Sequence, residues 1–205
     1  MAPKLRRLAL PFDERLSRVL AEFDCLGEDH QDDLVAQNVN NFLTDGRCEQ
    51  GLQHGISSTY LLLDPDKDPA LIGYATLTFD SVRLTNSEKK KMEELGGIAQ
   101  FGAIRIQMIG IDHRYQRTRC GSALLEAITG LARKLSQDIA VRFLLADANA
   151  KRIGFYEAAG FVRNRAEREA ERTESERSVS MRLDLIDVPN REETHVPVGS
   201  SSVAA

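Results

Sequence analysis

Residues 109–125 read IGIDHRYQRTRCGSALL and carry the most informative pattern in the chain. Its first residues end an apolar run, Ile104 to Ile111, that is typical of a central β-strand. A polar turn follows, and apolar residues then recur at helical spacing from Leu124 to Leu135. The stretch therefore predicts a strand, a turn and a helix that faces the core.

The turn before this helix is a candidate anion site. The first N–H groups of a helix have no intrahelical acceptor, and the helix dipole adds partial positive charge there. Arg114, Arg117 and Arg119 surround the turn, so the local charge is positive. The pattern predicts that a phosphate group binds at the start of the helix.

Residues 116–121 of this turn, QRTRCG, resemble the signature of the GCN5-related N-acetyltransferase (GNAT) family, Gln/Arg-x-x-Gly-x-Gly/Ala. In that family the backbone amides of the turn hold the pyrophosphate of acetyl-CoA. The resemblance implies cofactor-binding roles for Gln116, Arg117, Thr118, Arg119, Cys120, Gly121 and Ser122.

Arg119 departs from the family pattern, because it stands where the family has its first glycine. If the position needs a left-handed backbone, a residue other than glycine costs about 1–2 kcal/mol there. A charge-assisted contact between the guanidinium and a phosphate returns roughly 1.5–3 kcal/mol. We therefore expect CoA binding to be rearranged or weakened at Arg119, and not abolished.

A second stretch, residues 149–161 (NAKRIGFYEAAGF), resembles the family's later helix with its Asn…Phe-Tyr-x-x-x-Gly-Phe pattern. One helix and one strand separate it from the first motif, as in the family. The resemblance implies that Tyr156 lies near the CoA sulfur and protonates the leaving thiolate. It also implies that Asn149 contacts the pantetheine arm and that Phe155 belongs to the cofactor-binding set. Without the first motif, Tyr156 is better interpreted as a half-buried helix aromatic.

The resemblance also implies a splayed central strand whose backbone binds the acyl arm of the cofactor. Acetyl transfer needs a neutral amine, a stabiliser for the developing oxyanion and a proton donor for the thiolate. The backbone N–H groups of Ile109, Gly110 and Ile111 are the expected stabilisers. Gly110 is expected to ease a bulge in the strand.

A general base is not evident. The predicted strand from Ala103 to Ile111 contains no Asp or Glu. Asp112 lies at its end, where we expect it to cap a turn, and Asp80 and His113 are the weaker candidates. If the acceptor amine has a low pKa, as in an aminoacyl ester, water is sufficient as the base.

The three cysteines, Cys25, Cys48 and Cys120, are widely spaced and lack a neighbouring His ladder. We therefore expect no disulfide framework and no metal site. A thiol at a helix start is acidified, yet Cys120 has no evident catalytic histidine, so we interpret it as a packing residue.

Two amphipathic helices are predicted near the amino terminus. One covers residues 12–23, and the other begins at an N-cap, Asp29 or Asp32, and stops at Gly46. Residues 80–100 are polar and predict a long loop with one short helical segment. The remaining expectations are a hairpin of Ser58–Leu63 with Leu71–Phe79, a strand at Val141–Ala146, a helix at Ala150–Ala159, a charged connection at 163–177 and a final strand at Val179–Leu185.

The composition indicates one α/β domain. The chain has 205 residues, 42% of them hydrophobic and 28% charged, and a net charge of −4 that argues against general nucleic-acid binding. We expect a GNAT-like domain at residues 1–186, with a mixed central sheet flanked by helices, and a disordered tail at 187–205. No stretch has the length of a signal peptide or a membrane span, so a cytoplasmic location is expected.

The order of elements over roughly residues 20–185 also resembles the acetyltransferase toxins of bacterial toxin–antitoxin pairs. That resemblance implies acetylation of aminoacyl-tRNA, neutralisation by a ribbon-helix-helix antitoxin and a homodimer. Two alternatives stay open. One is an acetyltransferase for small-molecule or protein amines, and the other is a non-catalytic acyl-CoA-binding protein, which Arg119 and the missing base favour.

Overall fold

The computed structural model describes residues 3–27, 33–67, 70–90, 98, 100–164 and 178–186. The expected tail at 187–205, the expected caps Asp29 and Asp32, and most of the charged connection lie outside the described residues. Among the described helices, none combines the length and the apolar character that crossing a membrane requires.

The described residues form a mixed sheet whose strands follow the order β1-β2-β3-β4-β5-β7-β6. Neighbouring strands are antiparallel, except that β4 and β5 run parallel. The strands are β1 (Lys4–Arg7), β2 (Ser58–Asp64), β3 (Ala70–Val82), β4 (Phe101–Ile111), β5 (Phe143–Ala148), β6 (Val162–Arg163) and β7 (Val179–Asp184).

Helices cover both faces of this sheet. They are α1 (Glu14–Ala21), α2 (Leu34–Asn41), α3 (Arg47–Gln53), α4 (Asn86–Lys90), α5 (Cys120–Asp138) and α6 (Ile153–Ala158), with 3-10 turns at His113–Tyr115 and Ala150–Arg152. Side chains alternate across a strand, and Leu62 packs with α5 whereas Leu61 packs with Phe23 and Phe42 on the other face. Two hydrophobic layers therefore enclose the sheet.

The predicted hairpin is confirmed, because β2 and β3 pair antiparallel from Ser58 with Leu77 to Asp64 with Ala70. The predicted long loop is wrong at its start, since β3 continues to the buried Val82. Its short helical segment is confirmed as α4. β4 also begins earlier than predicted, at Phe101.

Several boundaries near the helices differ from the prediction. The first helix begins at Glu14, because the side chain of Asp13 accepts from Leu16 N at 2.7 Å and caps it. Asp33, not Asp29 or Asp32, caps α2. The strand predicted at Val141 begins at Phe143.

The predicted α6 helix opens as a 3-10 turn, and the predicted stop at Gly160, with φ of +88°, follows it. β1 and α3 were not predicted. β1 is a four-residue strand of mostly charged side chains, and α3 is a short helix, so neither carries a clear hydrophobic period.

Candidate active site

β4 and β5 separate in the middle of the sheet. Their parallel pairing runs from Ala103 with Phe143 to Ile106 with Ala146 and ends there, although β4 continues to Ile111 and β5 to Ala148. The expected splay of the central strand is therefore present. It leaves the second half of β4 with one edge open toward the end of β5.

The bulge in β4 lies at Gln107, not at Gly110 as predicted. Thr76 pairs with Met108 and Leu77 with Ile106, so Gln107 is the extra residue of the ladder. The bulge coincides with the end of the pairing between β4 and β5, because a bulge bends its strand and turns it away from a neighbour.

Gly110 serves a different purpose from the one predicted. A β-carbon built on it would lie 2.7 Å from Val39 Cγ1 and 3.2 Å from Phe23 Cζ. The absence of a side chain therefore lets α2 approach the central strand closely.

The amides of β4 alternate in direction. Asp112 N donates to Ile72 O on β3 at 2.9 Å, so the N–H groups of Ile109 and Ile111 point the other way, toward β5. Of the three amides predicted to bind an acyl arm, these two face the opening and that of Gly110 faces β3.

A cavity of about 350 Å³ fills the space between the separated strands. It reaches both faces of the sheet, because Asn38 and Val39 of α2 line it on one side and Gly121 and Phe155 on the other. The predicted site residues that line it are Ile109, Gly110, Ile111, Gln116, Gly121, Asn149, Phe155 and Tyr156.

Other predicted residues lie in the turn and in the first residues of α5, outside the cavity lining: Arg117, Thr118, Arg119, Cys120 and Ser122. The structure also adds lining residues that sequence reasoning missed, among them Cys25, Gln107, Met108, Asp147 and Arg152. Asp147 lies two residues before the second motif and Arg152 lies within it, so their charge at that motif was the available signal. Cys25 lies far from both motifs in sequence, so only the tertiary structure places it in the cavity lining.

The turn before α5 has the left-handed backbone that the family glycine predicts. Arg119 has φ of 67° and is the N-cap of α5 without a side-chain cap hydrogen bond, and Arg117 has φ of 60°. Both positions are costly for residues with a β-carbon. The turn therefore keeps the glycine-like conformation at the expense of strain at Arg119.

Arg114 does not add positive charge to this turn as predicted. Its guanidinium donates to Asp112 Oδ1 at 2.7 Å and to Oδ2 at 2.8 Å, and the carboxylate of Asp112 is fully buried. Burial raises the pKa of Asp112, but hydrogen bonds from Arg114 and from backbone amides outweigh it, so the pKa lies below its usual value. The predicted capping role of Asp112 is confirmed, since Arg114 N donates to Oδ1 at 3.1 Å.

Two other turn side chains have internal partners. Gln116 Nε2 donates to Cys25 O at 2.8 Å and to Ile111 O at 3.0 Å, which ties the turn to the segment between α1 and α2. Thr118 Oγ1 donates to Tyr115 O at 2.6 Å. Because these two side chains bond within the protein, they stabilise the turn. The backbone amides of the turn are then the groups that can bind a ligand.

Tyr156 is 5% exposed and packs edge-on against Phe155 and Phe161. Burial raises the pKa of Tyr156 to about 12, with Arg152 opposing the rise and Asp147 adding to it. The hydroxyl therefore stays protonated at neutral pH and can donate a hydrogen bond into the cavity.

Asn149 also lines the cavity, and its Oδ1 is buried without a hydrogen-bond partner. Such an oxygen is costly unless a ligand supplies a donor. The N–H groups of the pantetheine amides are donors of this kind, so the site fits acetyl-CoA here.

The weaker base candidates lie elsewhere. Asp80 pairs with the guanidinium of Arg105, and His113 Nδ1 lies 3.0 Å from Asp24 O. Neither residue belongs to the described cavity lining.

Structures with this fold include acetyltransferase toxins. A tyrosine-to-phenylalanine mutant of KacT matches with a TM-score of 0.69 and 19% identity, covering 90% of this chain and 96% of that chain. AtaT complexed with acetyl-methionyl-tRNAfMet matches with a TM-score of 0.66 and 20% identity, covering 88% and 95%. AtaTR bound with acetyl-CoA matches with a TM-score of 0.64 and 19% identity, covering 90% and 94%.

No curated protein sequence matches the chain significantly. The sequence profile of the acetyltransferase (GNAT) domain matches residues 30–185, which include β4, the turn before α5 and Tyr156. The chain therefore belongs to the GNAT acetyltransferase family, with acetyl-CoA as its acyl donor.

Proposed function

We propose that the chain transfers the acetyl group of acetyl-CoA to the amino group of an aminoacyl-tRNA. The observation that carries this proposal is the separation of β4 from β5 after Ile106 and Ala146. It opens a cavity through the sheet, so a donor on the α5 side and an acceptor on the α2 side can meet between the strands. We propose residues 1–186 as the unit that performs the reaction.

The donor is held by α5, β4 and the second motif. The first amides of the 19-residue α5, from Cys120 to Ser122, present N–H groups and positive dipole charge to the pyrophosphate. Arg119 brings a guanidinium to the same place. Asn149 accepts from an amide of the pantetheine arm, and Phe155 lines the cavity beside it.

The chemistry needs two hydrogen-bonding groups. The N–H groups of Ile109 and Ile111 face the opening and bind the acyl oxygen as negative charge develops on it. Tyr156 donates to the departing sulfur. Because its pKa of about 12 exceeds the thiol value of about 8.5, complete proton transfer costs about 4–5 kcal/mol, so Tyr156 stabilises the thiolate chiefly by hydrogen bonding.

The acceptor and partners are proposed from the structural relatives. AtaT is seen with acetyl-methionyl-tRNAfMet, and a complex of the AtaT mutant with the C-terminus of its antitoxin AtaR shares this fold at 19% identity. We propose that this chain is likewise a toxin, neutralised by a ribbon-helix-helix antitoxin and active as a homodimer.

The direct test incubates the chain with radiolabelled acetyl-CoA and aminoacyl-tRNA. We expect label in N-acetyl-aminoacyl-tRNA and none in deacylated tRNA. Expression should arrest bacterial growth, and Tyr156→Phe should relieve the arrest. Size-exclusion chromatography with light scattering tests the dimer, and co-purification with the product of an adjacent ribbon-helix-helix gene tests the antitoxin.

The same assay separates the alternatives. Transfer to spermidine or to peptide amines but not to aminoacyl-tRNA would make the chain a small-molecule or protein acetyltransferase. Calorimetric binding of acetyl-CoA without transfer to any of these amines would make it a binding protein. Absence of acetyl-CoA binding would contradict the whole proposal.

A further inference from the structure

Asp147 is the carboxylate at the point where the two strands separate. It follows Ala146, the last residue of β5 that pairs with β4, and it lines the cavity. Its side chain is 45% exposed, in contrast to the buried apolar residues that precede it on β5. The backbone of β5 pairs with β7 at this position, and the side chain of Asp147 lies between Arg105 and the cavity.

Asp147 points away from the face that carries the donor site. Side chains alternate along β5, and Leu144 and Ala146 pack with α5 whereas Phe143 and Leu145 pack with Val82 and Phe101 on the other face. Asp147 shares the face of Leu145. It therefore lies on the side of the cavity that α2 lines, where the acceptor is proposed to enter.

The carboxylate of Asp147 is held in place by Arg105. The guanidinium of Arg105 donates from Nη1 to Asp147 and from Nε to Asp80, so one cation pairs with two carboxylates. This group of three side chains keeps one negative charge. Asp147 is its only member that lines the described cavity.

Asp147 and Tyr156 line the same cavity, and the negative charge of Asp147 contributes to the raised pKa of that hydroxyl. Tyr156 marks the position of the donor sulfur in the proposed function. A group bound by Asp147 would thus lie in the same cavity as the reacting bond.

Resting on the proposed function, we propose that Asp147 is the residue that recognises the acceptor amine. Its carboxylate accepts a hydrogen bond from the ammonium group of the aminoacyl ester as that group binds. The ammonium then loses one proton to water, and the carboxylate keeps the nitrogen of the neutral amine beside the acyl group of acetyl-CoA, which this nitrogen attacks. The site thereby selects a cationic amine over an uncharged group of the same size. A charge-assisted hydrogen bond is among the stronger polar contacts, which suits it to this selection.

The test compares two ligands that differ only at the recognised group. One is an aminoacyl-tRNA, and the other is the α-hydroxyacyl-tRNA in which a hydroxyl replaces the ammonium, used as a competitive inhibitor. We expect Asp147→Asn to raise the KM for aminoacyl-tRNA by about 10- to 100-fold, as for loss of one charge-assisted hydrogen bond. The Ki of the hydroxyacyl analogue and the KM for acetyl-CoA should stay within about twofold.

Asp80→Asn is the matched control. It removes the other carboxylate bound to Arg105, but Asp80 lies outside the cavity lining. It should leave all three constants within about twofold of wild type. If Asp147→Asn does not fold, Asp147→Ser is measured in the same way.

The outcomes separate this inference from the proposed function. Three results would each overturn the role of Asp147 and leave the proposed function standing. They are equal changes in the KM for aminoacyl-tRNA and the Ki of the hydroxyacyl analogue, no change in that KM with Asp147→Asn, or the same change in that KM with Asp80→Asn. Failure of the wild type to acetylate aminoacyl-tRNA would overturn both.

Discussion

The guanidinium of Arg114 binds the buried carboxylate of Asp112 with two parallel hydrogen bonds of 2.7 and 2.8 Å. Asp112 also accepts from Asp24 N at 3.2 Å, so the pair joins the end of β4 to the segment after α1. An arginine that the sequence assigns to phosphate binding is thereby part of the scaffold that holds the turn.

Arg114→Gln should destabilise the protein by about 1–3 kcal/mol, because it leaves a buried carboxylate with fewer donors. The pKa of Asp112 is lowered in the folded protein, so its stabilising effect is present above the unfolded pKa and is lost as pH falls through the folded one. The variant raises the folded pKa, and acid unfolding should begin at higher pH.

Urea unfolding at neutral pH and an acid titration followed by circular dichroism measure both effects. Arg6→Gln, on the exposed side of the edge strand β1, is the control and should change neither. Identical acid midpoints for Arg114→Gln and wild type would show that the pair does not hold the turn.

Tyr156→Phe should slow acetyl transfer by about 10²–10³-fold while the Kd for acetyl-CoA stays within about threefold. The hydroxyl acts on the departing sulfur, whereas the ring keeps its contacts with Phe155 and Phe161. Single-turnover rates and calorimetry separate the two quantities. Tyr60→Phe, on β2 and outside the cavity lining, should leave both unchanged. A variant that transfers at the wild-type rate would remove Tyr156 from the mechanism.

Acetyl transfer should show no loss of rate from ionisation of Tyr156 between pH 7 and about 10. Burial raises the pKa of this hydroxyl to about 12, so its protonated form persists across that range and is lost only near the raised pKa. The measurement is the single-turnover rate against pH. A fall in rate near pH 9 that is absent in Tyr156→Phe would contradict the raised pKa.

Arg119→Gly should stabilise the protein by about 1 kcal/mol, because glycine adopts the φ of 67° at the N-cap of α5 without a β-carbon clash. Arg119→Ala is the matched variant, since it removes the guanidinium and keeps the clash. If the guanidinium binds phosphate, both variants should raise the Kd for acetyl-CoA by about tenfold. Thermal unfolding and calorimetry give the two readouts, and tighter binding by Arg119→Gly than by wild type would exclude the phosphate contact.

Gly110→Ala should destabilise the protein by about 1–3 kcal/mol, because the new methyl group would lie 2.7 Å from Val39 Cγ1. Combining it with Val39→Ala should recover part of that loss, since the smaller side chain removes the closest contact. Urea unfolding of the single and double variants measures the coupling. Strict additivity would mean that Val39 does not restrict this position.

Local pattern was sufficient for much of the site. The apolar run to Ile111, the polar turn and the stripe that begins at Leu124 specify strand, turn and helix by their periods alone. The two motifs placed Tyr156, Asn149 and Gly121, and the structure brings all three to one cavity. Such positions are predictable because each lies within a few residues of the end of a strand or the start of a helix that the sequence pattern clearly indicates.

Other features depended on contacts between distant segments. The bulge at Gln107 has no local signal, because it arises from the register between β3 and β4. The pairing of Arg105 with Asp80 and Asp147 joins three strands. Cys25 lines the cavity from a segment distant in sequence, which hydrogen bonds to Gln116, Asn40 and Ala36 hold in place.

The sequence by itself determined most of the strands and helices from β2 to β7, the turn before α5 and the tyrosine of the second motif, since hydrophobic periods and short motifs are properties of the chain itself. Tertiary structure alone decided which charges are available to a ligand. Arg114 pairs with the buried carboxylate of Asp112, which is outside the cavity lining, whereas Asp147, although it pairs with Arg105, still lines the cavity. The physical reason is that pairing and burial of a charge depend on which strands become neighbours, and that is settled only when the sheet assembles.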